Sequence, residues 1–119
     1  LETIEIDELS EVPVYPGCEN IRNKTNCLQE NIQRHIVRNF KYPKEAKKNK
    51  IQGRVFVQFI VGTGGYVDII KTRGPDDLLE KEAQRIISSL PRFKPGILNG
   101  KPVRVPFSMP IIFRLQKNM

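Results

Sequence analysis

The sequence predicts an α+β domain: two or three helices packed on one face of a three-stranded antiparallel sheet, with the C-terminal strand at an edge. Three periodicities carry this expectation. Leu28, Ile32, Ile36 and Phe40 recur every four residues, the spacing of one helical face. Ile51, Gly53, Val55, Val57, Phe59 and Val61 alternate with Gln52, Arg54, Phe56, Gln58 and Ile60, the pattern of a strand with two unlike faces. Val103, Val105, Phe107, Met109, Ile111, Phe113 and Leu115 are apolar without exception, in opposite phase to Arg104, Pro106, Ser108, Pro110, Ile112, Arg114 and Gln116. A chain of 119 residues has the size of one domain.

The elements follow in order. Residues 1–20 alternate weakly at Ile4 and Ile6 and then run through Val12-Pro13-Val14-Tyr15-Pro16, where the prolines forbid helix. They read as an acidic extended linker, with the domain proper at residues 21–119. Helix is expected over about 26–40, with Asn26 and Gln29 as a capping box. Tyr42-Pro43-Lys44-Glu45-Ala46 reads as a second short helical turn with Pro43 at its first position. Gly62-Thr63-Gly64-Gly65 turns the chain from the first strand into a second, Tyr66–Arg73, making a hairpin. Asp76 or Asp77 then caps a helix to Leu90, Asp77 and Glu80 forming a box, and Pro91 ends it. Arg92–Gly100 reads as a Pro/Gly loop.

The prolines of the last strand say which way it faces. A residue's N–H and C=O point to the same lateral edge of a strand, and alternate residues point to opposite edges. Pro106 and Pro110 share one parity, so both lack a donor on the same side. Proline is tolerated only where no ladder partner needs the N–H. The strand is therefore an edge, with 104, 106, 108, 110, 112 and 114 turned to the open side. Taken alone, the two prolines blunt an edge that would otherwise aggregate. The other reading is a docking rail, with donors left at Ser108, Ile112 and Arg114.

Charge and cysteine usage bound the environment. The net charge of +7 hides a bipolar chain. Residues 1–20 carry six acids and no base, whereas the rest carries seven acids and all twenty bases. No apolar run approaches the length of a membrane span. The start at Leu1, without a leader-like segment, suggests an excised or processed part of something longer. Cys18 and Cys27, with a single histidine, are too few for a zinc site. As free thiols they would fit a reducing compartment. As a disulfide they would close a ten-residue loop, contribute roughly 3 kcal/mol and imply an oxidising one. The irregular Pro16-Gly17-Cys18 turn and the position of Cys27 at a helix start favour the disulfide.

Motifs for catalysis are missing. There is no GxGxxG opening a helix after a strand, no Walker loop, HExxH or GxSxG. Cys27 and His35 stand about 12 Å apart along one helix, an odd placement for a nucleophile and its base. His35 borders the apolar stripe as a core-edge residue. Lys41, Lys44, Lys47, Lys48 and Lys50 read as a solvated face as readily as a phosphate-binding one. Phe56 is the one aromatic on the wet face of its strand, short of the paired stacking residues of an RNA-reading sheet. No enzyme, no cofactor and no nucleic-acid partner are expected.

The order of these pieces resembles a known family. Tyr42-Pro43-x-x-Ala46, then Ile51-x-Gly53-x-Val55-x-Val57-x-Phe59-x-Val61, Gly65-x-Val67, Glu80-x-Glu82-Ala83 and Pro95-Gly96 is similar to the C-terminal domain of TonB. Pro13-Val14-Tyr15-Pro16-Gly17-Cys18 and Val105-Pro106-Phe107-Ser108-x-Pro110-Ile111-x-Phe113 resemble the Bacteroidetes branch. The likeness spans roughly residues 12–115. It implies sheet order 2-1-3 and the periplasmic domain of an inner-membrane-anchored protein that works with ExbB–ExbD. That domain grips the TonB box of outer-membrane transporters by strand addition and transmits energy to them for nutrient uptake. The docking edge would be Arg104, Pro106, Ser108, Pro110, Ile112 and Arg114, with Asn39, Lys41, Tyr42 and Pro43 near the peptide. Arg104 and Arg114 would attract acidic residues flanking the box. Peptidoglycan contact and strand-swapped homodimers are further expectations. Two donor-less positions on the edge depart from the enterobacterial pattern and confine hydrogen bonding to short stretches. A similar domain at the end of a membrane-bound sensor protein, or a basic nucleic-acid-binding domain, are the rival readings.

Overall fold

A computed structural model describes residues 8–115. The elements are α1 (Lys24–Asn39), α2 (Lys44–Lys48), β1 (Gly53–Val61), β2 (Val67–Arg73), α3 (Asp77–Ser88), β3 (Gly96–Leu98), β4 (Lys101–Val103) and β5 (Val105–Phe113). The main sheet has the order β2-β1-β5, with the C-terminal strand at one edge as expected. The alternation of Ile4 and Ile6, the acids Glu2, Glu5 and Asp7, and Gln116 lie outside the described residues.

The inner sheet face and two helices form the core. Val55, Val57, Phe59 and Val61 of β1 and Ile111 and Phe113 of β5 are buried against Leu28, Ile32 and Ile36 of α1 and Leu79, Ala83, Ile86 and Ile87 of α3. Burying such side chains stabilises by about 1.5–3 kcal/mol each. Ile60 differs from the expected pattern, being buried although it belongs to the opposite phase.

Helix boundaries shift where side chains find backbone donors. α1 starts earlier than the apolar stripe suggests, because the Asn23 carboxamide oxygen accepts the Asn26 N–H at 3.0 Å. Asn26 is therefore inside the helix, not its cap, and its amide donates to Glu30 instead. Asp76 caps α3 by accepting the Leu78 N–H at 2.8 Å, so Asp77–Glu80 is no capping box. The Glu80 carboxylate is occupied by the Thr72 hydroxyl. Pro43 stands just before α2, with its carbonyl accepting from Lys47.

Two expectations at the C-terminal half need correction. The stretch 92–100 is not a plain loop: β3 pairs with β4 across Asn99-Gly100, both with positive φ (51° and 79°), a two-residue hairpin turn. Nor is 103–115 one strand. Val103 pairs with Gly96 while Val105 pairs with Val61, so Arg104 is the corner between two sheets and leaves the docking edge. Its Nε is buried with no hydrogen-bond partner among the described residues.

The lower part of the acidic lead-in is attached to this small sheet. Glu11 bridges Ile97 and Val14 bridges Lys94, with paired bonds of 2.8–3.1 Å. Val14 and Cys18 are buried, and Cys18 is bonded to Cys27 in the first turns of α1, with Cα atoms 6.0 Å apart. The Asn31 amide donates to the Cys27 carbonyl at 2.8 Å and lies 3.5 Å from both sulfurs. Replacing both cysteines with alanine should lower stability by about 3 kcal/mol. A matching fall in the unfolding free energy extrapolated from urea titration checks this; an unchanged free energy contradicts it.

Candidate functional site: the open edge of β5

The β1–β5 ladder runs without a register shift from Gly53↔Phe113 to Val61↔Val105, passing Phe56↔Pro110 and Ile60↔Pro106. A proline cannot complete a two-bond pair, so these are the non-hydrogen-bonded pairs of the ladder. The intervening residues Val105, Phe107, Met109, Ile111 and Phe113 thus bond to β1. Pro106, Ser108, Pro110 and Ile112 turn their backbone outward. The rail offers four carbonyls but only two N–H donors, at Ser108 and Ile112. Arg114 follows the strand end and is exposed, and the next N–H, of Leu115, donates to Gln52 Oε1 at 2.8 Å.

Beside this rail, on the helix side, runs a groove of about 490 Å³. Its floor is Phe107 and Met109 with Ser108 at the rim, and its far wall is the α1 flank: Leu28, Gln29, Gln33 and Arg34. One turn beyond Gln33, Val37 is 76% exposed, although its neighbours on the inner face are buried. The α1 flank is the part of the site that sequence reasoning missed. Its polar residues Gln29, Gln33 and Arg34 carry no pattern that marks them as a groove wall.

The other expected residues are engaged inside the fold. The Asn39 amide donates to the His35 carbonyl at 2.9 Å, and the Lys41 N–H donates to Glu82 Oε2 at 2.8 Å. Glu82 in turn binds Arg85 at 2.7 Å, and this carboxylate raises the Arg85 pKa further above its already high value. Tyr42 donates its hydroxyl to the Ile51 carbonyl, and burial pushes its phenol pKa upward, so it stays a donor through neutral pH. The Tyr42 and Phe40 rings pack on Phe113 at centroid distances of 5.9 and 5.1 Å. None of Asn39, Lys41, Tyr42 or Pro43 lines the groove. Of the four, Tyr42 is the one that packs on the end of β5, through Phe113.

His35 is buried, with Nε2 at 3.0 Å from the Ile86 carbonyl and 2.9 Å from Ser89 Oγ, and Nδ1 facing the Asn39 amide at 3.3 Å. Both ring nitrogens are thus engaged inside the fold. Among the described residues no three His, Cys, Asp or Glu side chains cluster as metal ligands, and no helix is long and apolar enough to cross a membrane.

The domain is thus a helix-backed antiparallel sheet with one open, proline-marked edge, the kind of edge to which an added strand can pair. The chain belongs to the family of the Gram-negative bacterial TonB protein C-terminal, whose family model matches residues 38–115. Among solved structures, the NMR structure of the Helicobacter pylori TonB C-terminal domain superposes with a TM-score of 0.59 at 24% identity. That match covers 82% of this chain and 89% of the other, and shows a shared fold. No curated protein sequence matches the chain.

Proposed function

We propose that this domain grips outer-membrane transporters by accepting their TonB box as an added strand along Pro106–Ile112. One observation carries the reading: the outward backbone of β5 is open and lies beside a groove on the helix side. Backbone pairing needs little from the guest's side chains, which suits a domain that serves several clients. A guest residue paired with Ser108 keeps its side chain on the wet face, and its two neighbours point toward Phe107 and Met109 in the groove. Small or apolar residues at those neighbouring positions suit the apolar floor. With Arg104 withdrawn to the sheet corner, Arg114 and Arg54 are the cations that would meet acids flanking the box.

In this reading the domain is periplasmic and reaches the inner membrane, and ExbB–ExbD, through residues outside this sequence. Load enters at the β5–guest interface and passes into β1 over nine paired positions. The disulfide suits an oxidising compartment. Contact with peptidoglycan and strand-swapped pairing of isolated fragments remain secondary parts of the proposal.

The immobilised domain should retain TonB-dependent transporters from a detergent extract of outer membranes. A synthetic peptide copied from the N-terminal segment of a captured transporter should release it, and a scrambled peptide should not. Retention that the cognate peptide leaves untouched would overturn the reading.

A further inference from the structure

The face of the sheet that points away from the helices carries a second surface, which does not depend on the edge-strand reading. Register places its side chains without ambiguity, because directly opposed residues share a face. Phe56 is opposed by Arg73 on one side and Pro110 on the other, and Arg54 is opposed by Ile112. Lys71 stands opposite Gln58 on the same face. Phe56 is 48% exposed in the middle of β1, and Ile112, near the end of edge strand β5, is 52% exposed. The Arg54 guanidinium sits 5.8 Å from the Phe56 ring centroid.

Charge on this face is one-sided. Arg54, Lys71 and Arg73 are all exposed, and Arg114 follows in the same phase as Ile112. Asp68, opposite Ile60, puts one carboxylate on this face. Among the described residues the one ion pair is Arg85–Glu82 on the helical layer, so none of these cations forms an ion pair with a described carboxylate. None of Arg54, Phe56, Lys71, Arg73 and Ile112 lines a described cavity. The surface is open, with apolar side chains at its centre and long cations around them.

We propose that this face docks on an anionic lipid bilayer surface. The mixture decides the occupant. An acidic polypeptide would account for the cations but leave two half-exposed apolar side chains without a role. A second copy of the chain would bring the same positive face and be repelled. A bilayer interface matches both: Phe56 and Ile112 enter the headgroup boundary while arginine and lysine stems snorkel to the phosphates. Each such cation is worth about a fivefold change in partitioning onto an anionic surface.

The test is sedimentation of the intact 119-residue chain with large vesicles. Vesicles containing about one-third phosphatidylglycerol in phosphatidylcholine should bind it at least tenfold more tightly than pure phosphatidylcholine, with binding falling steeply in salt. Arg54→Glu with Arg73→Glu should weaken binding by about 25-fold or more. Phe56→Ser should weaken it by about fivefold while leaving the salt dependence unchanged. Unchanged melting curves for these exposed substitutions would show that the fold is intact, and Arg73→Glu alone supplies a second variant if the pair unfolds. Equal binding to neutral vesicles, or Phe56→Ser binding like the parent, would overturn the proposal. So would capture by polyglutamate with no vesicle binding, which would assign the face to an acidic polypeptide. Affinity for an edge-strand peptide should not respond to Arg73→Glu, so failure here leaves the β5 reading standing.

Discussion

Gly65→Ala is expected to lower the melting temperature by about 15 °C, whereas Gly64→Ala, one residue away, should leave it nearly unchanged. Gly65 has φ +85° in the turn between β1 and β2, a region that costs an L-residue about 1–2 kcal/mol. A Cβ there would also lie 1.8 Å from the Phe93 carbonyl oxygen, a backbone atom that cannot swing aside. The turn would have to withdraw from the segment after α3. It would then lose the bond from the Phe93 N–H to the Gly65 carbonyl and the one from Arg92 Nε to the Gly64 carbonyl. Two hydrogen bonds at about 1 kcal/mol each, added to the backbone term and the clash, give about 4 kcal/mol. At Gly64 a Cβ would meet only the Tyr66 ring, at 3.5 Å, which is ordinary contact. Thermal melts of both variants decide the matter. A Gly65→Ala protein that melts within about 3 °C of the parent would contradict the close approach.

The strand that forms the candidate site was legible because proline acts locally. A missing N–H needs no knowledge of the partner strand, and two prolines of equal parity name the open side outright. Helical and strand periods likewise placed the core, from Leu28 to Phe113. Arg104 shows where such reasoning stops. Apolar alternation continues unbroken from Val103 to Val105, yet the chain changes partner between them, from Gly96 to Val61. Alternation records which side is buried, not which strand lies alongside. The β3–β4 hairpin was readable in principle, since Asn99-Gly100 is a strong two-residue turn signal, but with Pro95 and Gly96 close by the stretch read as a loop. Pro102 is tolerated because β4 spans only three residues at the rim of a two-stranded sheet. The groove wall was the least legible part. Gln29, Gln33 and Arg34 look like an ordinary wet helix flank until tertiary packing sets them beside Phe107 and Met109.

Ser108→Pro and Met109→Pro, adjacent on the same strand, should fail in opposite ways. The Ser108 N–H points outward and bonds to nothing in β1, so a proline there leaves the ladder intact, and the preceding Phe107 is already extended as proline requires. Stability should stay within about 1 kcal/mol of the parent. The rail, however, keeps a single donor, at Ile112. A guest strand loses one backbone bond and leaves a carbonyl without a partner, together about 2 kcal/mol, or roughly 30-fold in affinity. Ser108→Ala retains the N–H and should bind within about twofold of the parent, which separates the backbone effect from the hydroxyl. Met109 faces the other way. Its N–H belongs to the two-bond pair with Val57, and Met109 packs against the core. A proline there removes a ladder bond in the middle of nine paired positions and should destabilise the domain by about 4 kcal/mol. Peptide titration together with urea unfolding on the three variants is sufficient. A Ser108→Pro domain that stays folded and binds the peptide as tightly as the parent would remove the β5 edge as the docking site, whatever partner the domain serves.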